Sequence, residues 1–195
     1  MEVSDAAIVA QVLAGDRDAF RVLVERHSRS IYHVAYRMTG NAQDSEEIVQ
    51  ETMLRAYKAL PRFELRSNFG TWLYRIAVNR TLDFLNARKR VQETHQITED
   101  PDFEDGGGKE VQLAATGPGP DRLLLSAEVK QKIMQAMNQL SAPERVAFTM
   151  RHMEGKSIAE ISQAMKLKPS AAKNSVFRAV QKLRQQLGPL AGQTE

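Results

Sequence analysis

Hydrophobic residues recur every three or four positions along most of this chain, a spacing that predicts an all-α protein. The longest such stretch runs from Phe63 to Arg90. It predicts one long helix, because nothing after Gly70 breaks it and Ser67 or Asn68 can cap it. Its apolar positions form two stripes with a polar ridge between them. The first stripe contains Phe69, Trp72, Leu73 and Ile76, and the second contains Tyr74, Val78, Leu82 and Leu85. The ridge contains Arg75, Asn79, Asp83, Asn86 and Arg90. A helix held on two sides with a polar ridge left free is typical of a surface presented rigidly to a partner.

The same spacing predicts three shorter helices in residues 1–60, ahead of the long one. The residues predicted to cap their starts are Asp5, Asp16, and Asp44 or Ser45. The residues predicted to end them are Gly15, Gly40 and Pro61. The third helix carries a charged outer face made of Glu47, Gln50, Glu51, Arg55 and Lys58, which is most simply a solvated surface.

Residues 92–120 break the helical pattern. They hold seven acidic residues against one lysine, together with the runs Gly106–Gly108 and Gly117–Pro120, so we expect a flexible acidic linker. This linker would join two small helical domains, residues 1–91 and 121–195. Its net charge of −6, set against +3 for the whole chain, leaves about +9 on the two folded parts, which suits binding to a polyanion. Its ends would lie roughly 30 Å apart as a coil and about 90 Å apart when stretched.

The C-terminal domain returns to the helical pattern, and residues 156–187 predict a helix-turn-helix motif. Every charge around its second helix is positive: Lys166, Lys168, Lys173, Arg178, Lys182 and Arg184. Because a recognition helix must lie among phosphates to reach base edges in the major groove, this run of cations predicts DNA binding.

The remaining composition narrows the possible functions. The chain has no cysteine, which excludes disulfides, thiol redox sensing and thiolate metal sites. Its four histidines do not cluster with carboxylates at metal-ligand spacing, and its acids concentrate in the linker, so we expect no metal, no cofactor and no catalytic residue. No apolar run is long enough for a membrane span, and no secretion signal begins the chain, so we expect a cytoplasmic protein without membrane insertion.

Three motifs carry a resemblance to a known family: GDRDAF, DSEEIVQETMLRAYKALPRF and FGTWLYRIAVNR, in that order along the chain. A fourth, SVFRA, lies near the C-terminus. Together they cover most of the sequence, which closely resembles the extracytoplasmic-function (ECF, group IV) sigma factors, the small promoter-recognition subunits of bacterial RNA polymerase. The resemblance implies a non-catalytic protein that binds the polymerase core and directs it to particular promoters.

In this family the long helix and the loop before it read and open the minus-ten promoter element. The resemblance therefore implies that Arg66, Ser67 and Asn68 bond the edge of an unpaired base, and that Asn79, Arg80 and Asp83 meet the neighbouring duplex. Gln50, Glu51 and Arg55 match the face that docks on the beta-prime clamp of the polymerase. Trp72 could act as a wedge in the duplex, but its place in an apolar stripe favours a core role.

The C-terminal domain matches the part of the family that binds the polymerase beta flap and reads the minus-thirty-five element. The residues that carry over as base or phosphate contacts are Arg151, Lys173, Asn174, Ser175, Phe177 and Arg178, with Lys182 and Arg184 as backbone anchors. The chain departs from the family pattern at Ser162, at Ala172 and at Lys166, which replaces the glycine of the turn. A lysine in a left-handed turn costs on the order of 1 kcal/mol, so the register of the recognition helix could differ by one residue.

The resemblance also implies an anti-sigma factor that covers the polymerase-binding faces. The acidic linker could mimic nucleic acid inside the polymerase or serve as a spacer, and the sequence favours neither. Two other functions stay open: a two-domain helix-turn-helix regulator that never joins the polymerase, and an enzyme acting on nucleic acid. The first would need a ligand cavity or a phosphoacceptor, and the second would need clustered carboxylates or an activated nucleophile.

Overall fold

The structure is a computed structural model that describes residues 3–63, 68–95 and 131–191, and all regular secondary structure in these ranges is helical. The all-α prediction is therefore confirmed. The chain divides into two compact units, Met1–His95 and Gln96–Glu195.

Within residues 3–63 and 68–95, the N-terminal unit contains four helices and two short 3₁₀ turns. They are α1 (Asp5–Leu13), a 3₁₀ turn (Arg17–Ala19), α2 (Phe20–Thr39), α3 (Ala42–Ala59), a second 3₁₀ turn (Leu60–Arg62) and α4 (Phe69–His95). Each helix contributes to one apolar core, whose most deeply buried members are Val9, Leu23, Ala56, Leu60, Leu73 and Ala77. The long helix α4 packs on both α2 and α3, so its position is fixed from two sides.

Two of the predicted helix caps are wrong. The hydroxyl of Ser4, not the carboxylate of Asp5, accepts from the first turn of α1, because Asp5 is instead bound to side chains of α2. Asn41 caps α3 by accepting from the amide of Asp44, one turn earlier than predicted. Asp16 caps the 3₁₀ turn that leads into α2, and α2 itself has no side-chain cap. The predicted stop at Gly40, which is left-handed with φ of 73°, is confirmed.

An aromatic cluster anchors the first turn of α4. The rings of Phe63 and Trp72 lie 4.8 Å apart, and Phe69 lies 5.6 Å from Trp72. Asn68 caps the helix, since its Oδ1 accepts from the Thr71 amide at 2.7 Å. The predicted cap is thus confirmed, and Trp72 packs against the core as the sequence favoured.

The described part of the C-terminal unit, residues 131–191, contains helical residues 131–138 (α5), α6 (Ala142–Phe148), a π-helical turn (Thr149–Met153), α7 (Ile158–Ala164) and α8 (Pro169–Ala191). Its core joins α5 to α8 through Ala136, Met137, Leu140, Ala179 and Leu183. Capping boxes begin both α6 and α7, with Ser141 paired to Glu144 and Ser157 to Glu160.

The turn between α7 and α8 explains two of the departures from the family pattern. Lys166 has φ of 54° and is the one non-glycine residue with positive φ in the described ranges. Ser162 compensates, because its hydroxyl donates to the carbonyl of Leu167 at 2.7 Å and its own carbonyl accepts from the Leu167 amide at 2.9 Å. These two bonds close the turn without a glycine, and they place Pro169 at the start of α8.

The boundary of the linker differs from the predicted one. Residues 92–95 continue α4, since Gln92, Glu93 and Thr94 contain no helix breaker. The rest of the predicted linker, residues 96–120, lies outside the described residues.

Candidate nucleic-acid and protein interfaces

A row of ion pairs joins the outer faces of α3 and α4. Asp44 contacts Arg88 at 2.6 Å, Glu47 contacts Arg80 at 3.2 Å, and Arg55 contacts both Glu51 at 2.8 Å and Asp83 at 3.6 Å. We call these seven side chains the α3–α4 ion-pair ladder. The ladder brings together the predicted clamp contacts Glu51 and Arg55 with the predicted duplex contacts Arg80 and Asp83. The sequence predicted two separate surfaces for these residues, whereas in the structure they lie on one surface.

Arg80 and Arg55 differ within the ladder. The Arg80 side chain is only 17% exposed, and its guanidinium lies 5.7 Å from the centre of the Phe84 ring. Arg55 is 45% exposed, and its hydrogen bond lowers the pKa of Glu51 below the usual range. Arg80 is thus a cation held in place by packing, whereas Arg55 is held mainly by its ion pairs.

The sequence did not single out Asp44, Glu47 or Arg88 as members of this site. Their spacing fits one face of each helix, but nothing in the sequence states which helix packs against which. Gln50 is exposed and lies beside a cleft of about 340 Å³ between α2 and α3, which is also lined by Ser28, Arg29, Tyr32, Glu46 and Val49.

The first turn of α4 presents Asn68 to solvent. Because its Oδ1 caps the helix, its amide nitrogen is the group left to donate to another molecule. Further along α4, Asn79 is half-buried and donates its Nδ2 to the carbonyl of Arg75 at 2.6 Å. Arg66 and Ser67, the other two predicted base contacts, lie outside the described residues.

The outer face of α8 carries four exposed side chains, Lys173, Asn174, Phe177 and Arg178. They occupy positions i, i+1, i+4 and i+5, so they lie on one side of the helix. Phe177 is 60% exposed, which is unusual for a large apolar side chain.

Three of the other four predicted contacts of this unit, Arg151, Ser175 and Lys182, have partners within it. Ser175 is half-buried and donates to the carbonyl of Ala171 at 3.0 Å. Lys182 donates to the carboxylate of Glu144 at 2.7 Å. Arg151 is exposed and donates to the carbonyl of Lys156 at 3.0 Å, and Arg184 is exposed on the last turns of α8.

Glu144 is a buried carboxylate that the sequence did not identify. Burial raises its pKa, but the hydrogen bonds from Lys182 and from the Ser141 amide outweigh burial and lower the pKa below the usual range. This carboxylate ties α8 to the start of α6. The capping box over 141–144 was the sequence signal that could have revealed it.

The described side chains contain no group of three or more His, Asp or Glu residues placed to hold a metal ion. No helix in the described ranges combines the length and apolar character needed to cross a membrane.

Two family models match the chain, one in each unit. Sigma-70 region 2 matches residues 23–91, and Sigma-70 region 4 matches residues 130–183. The first match therefore contains α2, α3 and most of α4, and the second contains the helix-turn-helix.

Characterised relatives match over nearly the whole chain. The ECF RNA polymerase sigma factor SigW of Bacillus subtilis is 30% identical over 97% of this chain and 100% of its own length. The RNA polymerase sigma-H factor of Pseudomonas aeruginosa is 33% identical, with 95% of each chain covered. The ECF RNA polymerase sigma-E factor of Escherichia coli is 32% identical, with 97% of each covered.

Two solved structures share the fold. CnrH in complex with the cytosolic domain of CnrY aligns with a TM-score of 0.58 at 21% identity, covering 96% of this chain and 99% of that one. RpoE of Bartonella quintana in complex with the anti-sigma factor NepR aligns with a TM-score of 0.60 at 23% identity, covering 87% of this chain and 96% of that one. With both sigma regions present in order and relatives matched from end to end, the chain belongs to the extracytoplasmic-function sigma factors of bacterial RNA polymerase.

Proposed function

We propose that this protein joins the RNA polymerase core in the cytoplasm, directs it to a subset of promoters, and performs no catalysis of its own. The observation that carries the proposal is the pairing, in one chain, of a region 2 unit with a fixed polar helix and a region 4 unit with an exposed basic recognition helix. A regulator that acts outside the polymerase would have no use for the region 2 unit.

For the N-terminal unit we propose two contacts. Gln50, Glu51 and Arg55 meet the beta-prime clamp, and Arg66, Ser67 and Asn68 receive an unpaired minus-ten base. The exposed amide nitrogen of Asn68 is a donor, so the base that it reads presents an acceptor at that point. Asn79, Arg80 and Asp83 meet the adjacent duplex.

For the C-terminal unit we propose that Lys173, Asn174, Phe177 and Arg178 enter the major groove of the minus-thirty-five element. Basic side chains pair with guanine, asparagine pairs with adenine, and an exposed phenylalanine contacts a thymine methyl group. We propose further DNA contacts for Arg151, Ser175 and Arg184. Lys182 would have to exchange Glu144 for a phosphate, so its share in DNA binding is the smallest.

The test is a reconstitution from purified parts. The full chain should comigrate with polymerase core on a sizing column, and the complex should start transcription on genomic DNA at sites that share a two-part motif. Core alone is the control. Absence of comigration, or start sites identical to those of core alone, would overturn the proposal.

We further propose that an anti-sigma factor holds this protein inactive by covering both units. The support is the chain's membership in a family with structural relatives such as RpoE, which was solved bound to NepR. Since the chain has no cysteine, any thiol-based sensing would belong to that partner. Affinity capture of the full chain from its own cells, followed by identification of the proteins retained, tests this proposal. Recovery of polymerase subunits alone would contradict it.

A further inference from the structure

Three side chains that take no part in the proposed contacts form a half-buried cluster between α1 and α2. The carboxylate of Asp5 accepts from Nε2 of His27 at 2.7 Å through one oxygen and from Arg26 through the other. The side chains of Asp5 and His27 are only 23% and 18% exposed. Burial raises the pKa of Asp5, but the hydrogen bonds from Arg26 and His27 outweigh burial and lower it, so the carboxylate is charged.

This charged carboxylate fixes the rotation of the His27 ring. An ionised carboxylate accepts and does not donate, so Nε2 of His27 must carry the proton. A phenylalanine of similar size could fill the same space without being held in one orientation. The cluster therefore gives the ring a defined direction as well as a place in the core.

The Nδ1–Cε1 edge of the ring, next to the Nε2 that binds Asp5, lies against the first turn of α4. The ring centres of His27 and Phe69 are 5.3 Å apart. A Cβ added to Gly70 would lie 3.4 Å from Cε1 of His27 and 3.8 Å from Oδ1 of Asn68. His27 and Asn68 thus border the same small space above Gly70, which a Cβ would enter at ordinary van der Waals distance.

We propose that His27 is a positioning residue for minus-ten recognition. Held by Asp5 of α1, its ring sets where the first turn of α4 lies and where the amide of Asn68 points. The inference rests on the proposed function, because it takes Asn68 to be a base contact. It adds a role for α1, which lies outside the matched region 2 and would otherwise serve only to complete the core.

Two substitutions of His27 each remove one of its two properties, the hydrogen bond to Asp5 or the aromatic ring. His27→Phe keeps a ring against Phe69 but loses the donor to Asp5, and His27→Gln keeps an N–H donor but loses the ring. Asp5→Asn keeps an acceptor and loses the charge, so its effect should be smaller. The matched control is His33→Phe, the same change at an exposed position of the same helix.

The readout is base preference, measured with holoenzyme containing the full chain on a library of minus-ten variants, beside the thermal unfolding of the free chain. We expect His27→Phe and His27→Gln each to shift the preference at the position read by Asn68 by about threefold or more. We expect His33→Phe to leave that preference unchanged. A purely structural role predicts lower activity in proportion to the folded fraction, with the order of preferred bases unaltered, and that result would overturn the proposal.

Asn68→Ala separates this inference from the function on which it rests. If Asn68→Ala alters the preference and the His27 variants do not, the positioning role alone fails. If Asn68→Ala also leaves the preference unaltered, both the reading by Asn68 and its positioning by His27 fail. If both residues act through one contact, the double variant should match Asn68→Ala alone.

Discussion

The surfaces of α4 and α8 that we propose to contact promoter DNA are built in different ways. On α4, Arg80 already holds Glu47 of α3, and Asp83 already holds Arg55 of α3. On α8, Lys173 and Arg178 have no carboxylate partner within the described part of the chain. The α8 face is therefore ready to meet phosphates and bases as it stands, whereas the α4 face must exchange partners when it binds.

The cost of that exchange is small because exposed ion pairs contribute only about 0.2–1 kcal/mol each. The difference between the faces should therefore appear in selectivity and salt dependence more than in stability. Stability depends instead on the side chains that pack each helix into its core. We therefore expect the largest effect from a substitution of such a side chain.

Trp72→Ala should destabilise the N-terminal unit by roughly 3–5 kcal/mol, because it removes the ring that packs on Phe63 and Phe69 and leaves a cavity. Phe177→Ala on α8 is the counterpart, since an exposed ring should change stability by no more than about 0.5 kcal/mol. Urea unfolding of the full chain measures both. Equal losses would mean that the two aromatic side chains do not differ in role.

Arg178→Ala should reduce discrimination at one minus-thirty-five position by about 1–3 kcal/mol if its contact is to a base. Lys173→Ala tests the neighbouring position on the same face. Binding of holoenzyme to single-base variants, measured at two salt concentrations, separates the outcomes. A uniform loss across all sequences with a flatter salt dependence would identify a phosphate contact instead. No change in either variant would contradict the assignment of α8.

Glu144→Gln should cost about 1 kcal/mol at neutral pH, because it removes the charge that holds Lys182 while leaving an oxygen for the Ser141 amide. The pKa of Glu144 is lowered by folding, so its contribution is fully present above the ordinary pKa of a glutamate and is lost as the pH falls through the lowered pKa.

The free-energy difference between wild type and Glu144→Gln should therefore shrink to zero in acid. The pKa of Asp5 is also lowered, but Asp5 is the same in both proteins and cancels from the difference. Urea unfolding at several pH values from 7 to 3 measures the trend. A difference that stays constant with pH would show that the ion pair does not stabilise the unit.

Glu47→Gln should have the smallest effect. Releasing Arg80 from its partner should strengthen binding of holoenzyme to DNA by about two- to fivefold at low salt, and the gain should vanish at high salt. Glu25→Gln is the matched control, since it makes the same charge change in an exposed pair with Arg21 on α2. Equal gains in both variants would mean that net charge, and not the ladder, controls binding.

Sequence patterns predicted the helices well because the caps and apolar stripes are local. Asn68, Gly40 and the Lys166 turn are all determined by neighbours within a few residues. Asp5 shows where such reasoning fails. A first-turn aspartate looks like a cap, yet its partners are Arg26 and His27, which lie 21 and 22 residues further along the chain.

The candidate site shows the same limit. The exposed residues of α8 follow from helical spacing alone, so the sequence could place Lys173, Asn174 and Arg178 on one face. The α3–α4 ion-pair ladder could not be found in this way, because it depends on the register between two helices. Helical periodicity predicts which side of a helix is polar, but it does not predict which other helix that side contacts.

Start-site selection tests the central claim most directly, that one chain reads two promoter elements through two separate units. Holoenzyme made with the full chain would transcribe a library randomised upstream of the start site, and the same assay would be run with Asn68→Ala and with Arg178→Ala. We expect two separated blocks of preferred bases. Asn68→Ala should weaken the downstream block only, and Arg178→Ala should weaken the upstream block only. A single block, or loss of both blocks in either variant, would contradict the claim that two separate units read two promoter elements.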